Sequence, residues 1–164
     1  MCDYSLQGLP NRLAVMGEQL VTHRFLTGSI GMASPHDIAA ANRPKPRNGE
    51  RGRWWSTLKR WLNPQMELDR IPAVCIPPGA RLRMSRVPDE MRRGYDLRPV
   101  EQVTFVQLSA DAYRYRDGIR FDNGCQELLQ TLPEGVPFEV LSLEVSKREP
   151  QPEARMPVCL DKAA

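Results

Sequence analysis

Histidine is scarce in this chain of 164 residues: His23 and His36 are the two it has. A metal site of ordinary type needs two or three further ligands, which the four cysteines could supply only from a distance. Cys2, Cys75, Cys125 and Cys159 lie far apart, and none belongs to a CxxC. That spacing does not suggest a disulfide scaffold, and it leads us to expect free thiols in a reducing cytoplasm. No stretch approaches the ~18 continuous apolar residues needed to cross a bilayer. The first residues do not combine a basic start with an apolar run, so no secretory signal is expected. No serine sits in GxSxG, and Gly28-Ser29-Ile30-Gly31 is too short for a phosphate loop and lacks the GKS/T ending. No cofactor is expected, and no metal.

Proline is what the chain has in excess, with 15 residues. That number favours irregular backbone over long helices, hence a small folded unit carrying extensions. The net charge of +3 conceals an asymmetry. Residues 1–42 carry two Lys/Arg against three Asp/Glu, residues 43–100 fourteen against six, and residues 101–164 seven against eleven. A basic middle between acidic ends points to an anionic partner or to the chain's own acidic part. The balance of nineteen Arg to four Lys suggests a bacterial source.

Along the chain, QLVTHRF and SIGMA read as strands. Ser34 then caps a helix of at most two turns, with Pro35 at its first position and Asn42 and Pro44 ending it. IPAVCIPPGARLRM reads as strand, turn and strand. EQVTFVQLS alternates, with Val103 and Phe105 on one face and Thr104 and Val106 on the other. In AYRYRDGIRFDNG, Tyr113 and Tyr115 share a face, and Asp117-Gly118 and Asn123-Gly124 both read as hairpin turns. CQELLQTL fits a strand or a helical turn, and PFEVLSLEV a strand. PDEMRRGYD reads as a turn with local ion pairs. The fold class expected is therefore α+β, mainly antiparallel, as a small barrel or rolled sheet in a meander of four or five strands. The divisions expected are 1–42 (N-terminal strands and short helix), 43–68 (basic linker with a Trp-rich helix), 69–146 (antiparallel β domain) and 147–164 (loose Pro-rich tail).

All three tryptophans fall in RGRWWSTLKRWLNPQ, residues 51–65, the most basic part of the sequence. On a helical wheel Trp54, Trp55, Leu58, Trp61 and Leu62 span an arc of about 120°, while Arg53, Lys59 and Arg60 lie outside it. Such a helix is shorter than the ~12–15 residues that hold helix alone in water, so its apolar face needs a cover. The cover can be the protein's own sheet, a partner protein, a membrane surface or nucleic acid. The preceding linker, with Arg43, Lys45 and Arg47, lets the helix reach away from the body and favours partner or membrane. No nucleic-acid motif surrounds the tryptophans.

Cys2 follows the initiator Met, and removal of that Met would expose an N-terminal thiol whose own amine can act as base. The start is similar to N-terminal-nucleophile amidotransferases and SRAP-type DNA-adduct proteins, which begin Met-Cys-Gly; here Asp3 replaces the Gly, and none of their residues is carried over. Three functional expectations follow. The first is a non-catalytic accessory or adaptor protein, cytoplasmic and peripheral at the inner membrane. It would dock on a protein assembly or membrane surface through Trp54, Trp55, Leu58, Trp61 and Leu62, with Arg53, Lys59 and Arg60. The second is a hydrolase or transferase using Cys2, with His23 orienting. The third is a small metal-binding protein using His and Cys.

Overall fold

Alternating burial along the strands builds the main sheet. The computed structural model describes residues 8–43, 71–109, 111 and 114–143. The Trp-rich stretch 51–62, Tyr113, the tail 147–164, Cys2 and Cys159 lie outside the described residues.

The strands are β1 (Asn11–Leu13), β2 (Gln19–Arg24), β3 (Ile30–Ala33), β4 (Ala73–Cys75), β5 (Arg81–Met84), β6 (Glu101–Gln107), β7 (Asp117–Phe121), β8 (Gln126–Leu128) and β9 (Pro137–Ser142). Among the described residues two short helices join them, α1 (Pro35–Ala41) after β3 and α2 (Asp89–Tyr95) after β5. A 3-10 turn, Leu129–Thr131, follows β8. The seven-stranded sheet runs β3-β2-β9-β5-β6-β7-β8 with every neighbouring pair antiparallel, and β1 and β4 form a separate parallel pair. The mainly antiparallel α+β class read from the sequence is what the chain adopts. A closed barrel is not formed among the described residues, because no strand pairing joins β3 to β8. The two ends of the sheet do meet through one side chain: the Ile30 N–H donates to Gln130 Oε1 at 2.8 Å.

Side chains facing one way from successive strands align into rows, because register pairs them directly. Leu20 stands opposite Phe138, Phe138 opposite Met84, and Met84 opposite Glu101. The next row runs Val140, Leu82, Val103, Phe121. The seven apolar members of these two rows are almost fully buried and form the centre of the main core. β4 is buried along its whole length. Its Val74 belongs to that core, and its Ala73 joins a second cluster with Leu9, Phe25 and Ala33, flanked by Ile38 of α1 and by Ile71.

Several sequence expectations need correction. The meander covers only β5-β6-β7-β8: β9 does not continue it beyond β8 but sits between β2 and β5, so the last described strand is central. Asp117-Gly118 is not a turn but the start of β7, with Gly118 paired to Val106 and to Leu128. PDEMRRGYD contains a helix, α2, with Asp89 and Glu90 in its first turn, Arg92 and Arg93 in its last, and Asp96 in the left-handed region at its C-cap. The local pairing expected there exists as Arg92 Nη1–Asp89 Oδ1 at 3.0 Å. Free thiols are also overturned, since Cys75 and Cys125 are both disulfide-bonded. Cysteines that are remote in sequence can be neighbours in a folded chain, so spacing alone could not reveal this.

Candidate docking site

The candidate site is the end of β1 and the loop that follows it, Leu13–Gly17. Ala14 turns inward: its N–H donates to the Cys75 carbonyl at 3.0 Å, and its side chain enters the main core at 5% exposure. Val15–Glu18 then forms a tight turn, closed from both directions. The Glu18 N–H donates to the Val15 carbonyl at 3.1 Å, and the Val15 N–H donates to Glu18 Oε2 at 3.0 Å. Gly17 is the third residue of this turn, with φ 76°, the position where a type II turn needs glycine. Two further bonds tie the turn to β9: Gly17 N–H to the Val140 carbonyl at 2.8 Å, and Val140 N–H to the Glu18 carbonyl at 3.0 Å.

This pinning directs three large apolar side chains outward. Leu13 is 72% exposed, Val15 62% and Met16 66%, the three highest values among the large apolar residues described. Isolated exposed apolar residues are common on proteins; here three fall within four positions, at the end of β1 and on the pinned turn after it, and make one small apolar patch.

The base of the loop is polar and satisfied. Arg12 donates from Nη1 to Glu18 Oε2 at 3.1 Å, from Nη2 to Asp37 Oδ2 at 2.9 Å, and from Nη2 to Glu18 Oε1. Burial pushes the Glu18 carboxyl up, but the Arg12 hydrogen bond, the Val15 N–H and the Arg12 charge together hold it below the ordinary carboxylate range. The same partners, Glu18 first, hold the Arg12 guanidinium in its charged form. Asp37 sits in the first turn of α1, so this triad also fixes α1 beside the loop. Ser34 caps that helix by accepting from the His36 N–H at 3.3 Å, as its sequence indicates.

The described residues stop at Arg43, just after α1, and resume at Ile71, and Ile38 and Ile71 pack against the same small cluster. Ile71 is two residues before Ala73, the partner of Asn11, which places it about 13 Å along the parallel strands from Leu13.

His23, the orienting residue of the catalytic alternative, lies on β2. Its Nδ1 is 2.9 Å from Glu134 Oε1, and its ring meets Phe25 edge-on at 5.1 Å. The same carboxylate oxygen accepts from the Arg24 N–H at 3.2 Å. One residue away, the buried Thr22 hydroxyl donates to the Pro133 carbonyl at 2.7 Å and accepts from the Val136 N–H at 2.9 Å. These bonds account for His23 as a half-buried sheet residue that fastens the loop before β9. Among the described residues, no three or more His, Cys, Asp or Glu gather into a group able to hold a metal.

The sequence-derived docking residues Trp54, Trp55, Leu58, Trp61, Leu62, Arg53, Lys59 and Arg60, and the candidate nucleophile Cys2, lie outside the described residues. Sequence reasoning missed Leu13, Val15 and Met16. The one local mark is an uninterrupted LAVM run ended by Gly17, which does not alternate as a half-buried strand would but by itself reads as buried. No protein-family model matches this chain, and no curated protein or solved structure shows a detectable similarity to it.

Proposed function

We propose that the chain is a non-catalytic docking protein that attaches itself to a larger partner through apolar side chains presented from a rigid sheet. The observation that carries this reading is the pinned β1–β2 turn with Leu13, Val15 and Met16 exposed. A fixed turn loses little conformational entropy on binding, so more of the apolar contact free energy appears as affinity. The Trp54–Leu62 segment, amphipathic on its sequence pattern, supplies the second contact. The Ile30–Gln130 bond supports a rolled rather than flat sheet beneath this surface. No described helix is long and apolar enough to cross a membrane. The cytoplasmic assignment rested in part on free thiols, and with Cys75 and Cys125 cross-linked an oxidising compartment fits better.

The test is retention from the native lysate, split into soluble and membrane fractions, with Trp55→Glu combined with Trp61→Glu run beside the unaltered chain. Association is expected to disappear in the variant while the far-ultraviolet spectrum of the sheet persists. Association that survives both charges would overturn the role given to that segment.

The catalytic alternative has one supporting observation, the carboxylate that orients His23. Intact mass decides it, since a retained initiator Met leaves Cys2 with no free amine.

A further inference from the structure

The docking reading leaves the partner open, and the free side of β1 narrows it. Among the described residues β1 pairs with β4 and with no other strand. The Pro10 carbonyl accepts from the Ala73 N–H at 2.8 Å, and the Ala14 N–H donates to the Cys75 carbonyl. Backbone groups alternate in direction along a strand, so between those two bonds Arg12 faces β4 while Asn11 and Leu13 face away. Both residues are exposed, and their N–H groups have no partner among the described residues. The Leu13 carbonyl takes a long contact from Arg12 Nη1 at 3.4 Å, which leaves its second lone pair open. The Asn11 side chain folds back to the Leu9 carbonyl at 3.2 Å and does not cap the edge. An open row of this kind is a template for one more strand.

The two faces of an added strand meet different surroundings. A residue opposite Asn11 or Leu13 shares the face of Leu13, and one opposite Arg12 shares the face of Arg12. Leu13 is 72% exposed, with Val15 and Met16 protruding just beyond it, which suits apolar residues. On the other face Arg12 is shared between Glu18 and Asp37, a local net of one negative charge. Both Arg12 bonds to Asp37 end on Oδ2, so Oδ1 remains to accept from a cation, with His36 Nδ1 3.5 Å from it. A basic residue opposite Arg12 balances that charge, and an acidic one adds to it. A second copy of this chain matches less well. Its own Arg12 is already committed to Glu18 and Asp37, so two negative triads would meet.

Resting on the docking reading, we propose that β1 receives an extended strand of a partner protein, paired antiparallel, with a basic residue opposite Arg12 between two apolar ones. The probes are two capped peptides, Ser-Thr-Val-Lys-Val-Thr-Ser and the same sequence with Glu in place of Lys, added to the full chain. The amide signals of Asn11 and Leu13 are expected to shift and gain exchange protection, while Arg12, already in the ladder, changes little. The Lys peptide should bind at least about threefold more tightly than the Glu peptide, a margin that shrinks as salt rises. Asn11→Pro removes one outward N–H and no bond to β4, and should weaken binding by about fivefold. Methylating both valine nitrogens of the peptide tests the same bonds without altering the protein, and should abolish the shifts. Equal binding of the Lys and Glu peptides overturns the charge selection. Absence of any response at Asn11 and Leu13 overturns strand addition. Protection of those amides in the chain alone, with a dimer in sedimentation, puts a second copy on β1 and also overturns the proposal. If neither peptide binds while Trp-dependent retention from lysate persists, docking stands and this assignment falls. Loss of both signals removes the docking reading as well.

Discussion

Gly118 shows how a single residue's meaning depends on its neighbours. Asp-Gly is a strong local hairpin signal because both turn positions require positive φ. Here Gly118 lies in a strand, and what matters is its missing side chain. A Cβ at this position would stand 2.6 Å from Leu108 Cδ1 and 2.7 Å from the Glu127 carbonyl oxygen. Leu108 can shift, but the strand backbone of β8 cannot move without disturbing its ladder. Gly118→Ala should therefore destabilise the chain by about 1–3 kcal/mol, read as a lower urea midpoint with little change in slope. The reasons for this glycine are non-local, so no inspection of Arg116–Ile119 would have found them. Asn123-Gly124, read by the same rule, is a true turn: Gly124 has φ 91°, and Asn123 Oδ1 accepts from the Cys125 N–H at 3.0 Å.

At the scale of elements, legibility follows how local each cause is. Helix α1 could be read to the residue because Ser34, Pro35 and Asn42 act within a few positions of one another. β2, β5 and β6 were legible because one face of each is buried and period-two alternation records that, while β3, buried at every position, was legible from its short apolar run between turn signals. The β1–β2 turn was not, since apolar residues in a run read as buried when the backbone instead holds them outward. That holding depends on Glu18, and it gives the turn a pH response. Glu18 titrates below its ordinary value in the folded chain, so its contribution is complete above about pH 4.3 and is lost as pH falls through the folded pKa. Amide-exchange protection at Val15 and Gly17 should hold from neutral pH down to that point and then decline. Glu101, held low first by its hydrogen bonds from Arg98, responds in the same direction elsewhere in the sheet. Glu18→Gln separates the two: protection at Val15 should already be reduced at pH 7 and should no longer carry the Glu18 step.

For the molecule as a whole, the two hydrophobic clusters share β4, and the cross-linked Cys75 at the end of β4 is bonded through its carbonyl to Ala14 at the β1–β2 turn. Reduction should therefore reach the turn as well as the core. Dithiothreitol is expected to lower unfolding free energy by about 2–4 kcal/mol for each disulfide opened, measured as paired urea titrations with and without the reductant. An unchanged midpoint, with thiol alkylation proving reduction, would show that the covalent links add nothing to the packed sheet.

The central place of β9 bears on how the chain is made. A ribosome delivers β2 and β3 first, then β5 to β8, and neither group can join the other until residues 137–142 have emerged. Until then the nascent polypeptide holds two partial sheets, each with a raw edge where β9 belongs, on β2 and on β5. Closing the gap brings together residues more than a hundred positions apart, such as Thr22 and Val136, and contacts of that span form slowly. Through most of synthesis those edges are open to any passing strand, so the chain's most hazardous interval comes before its last central strand is born.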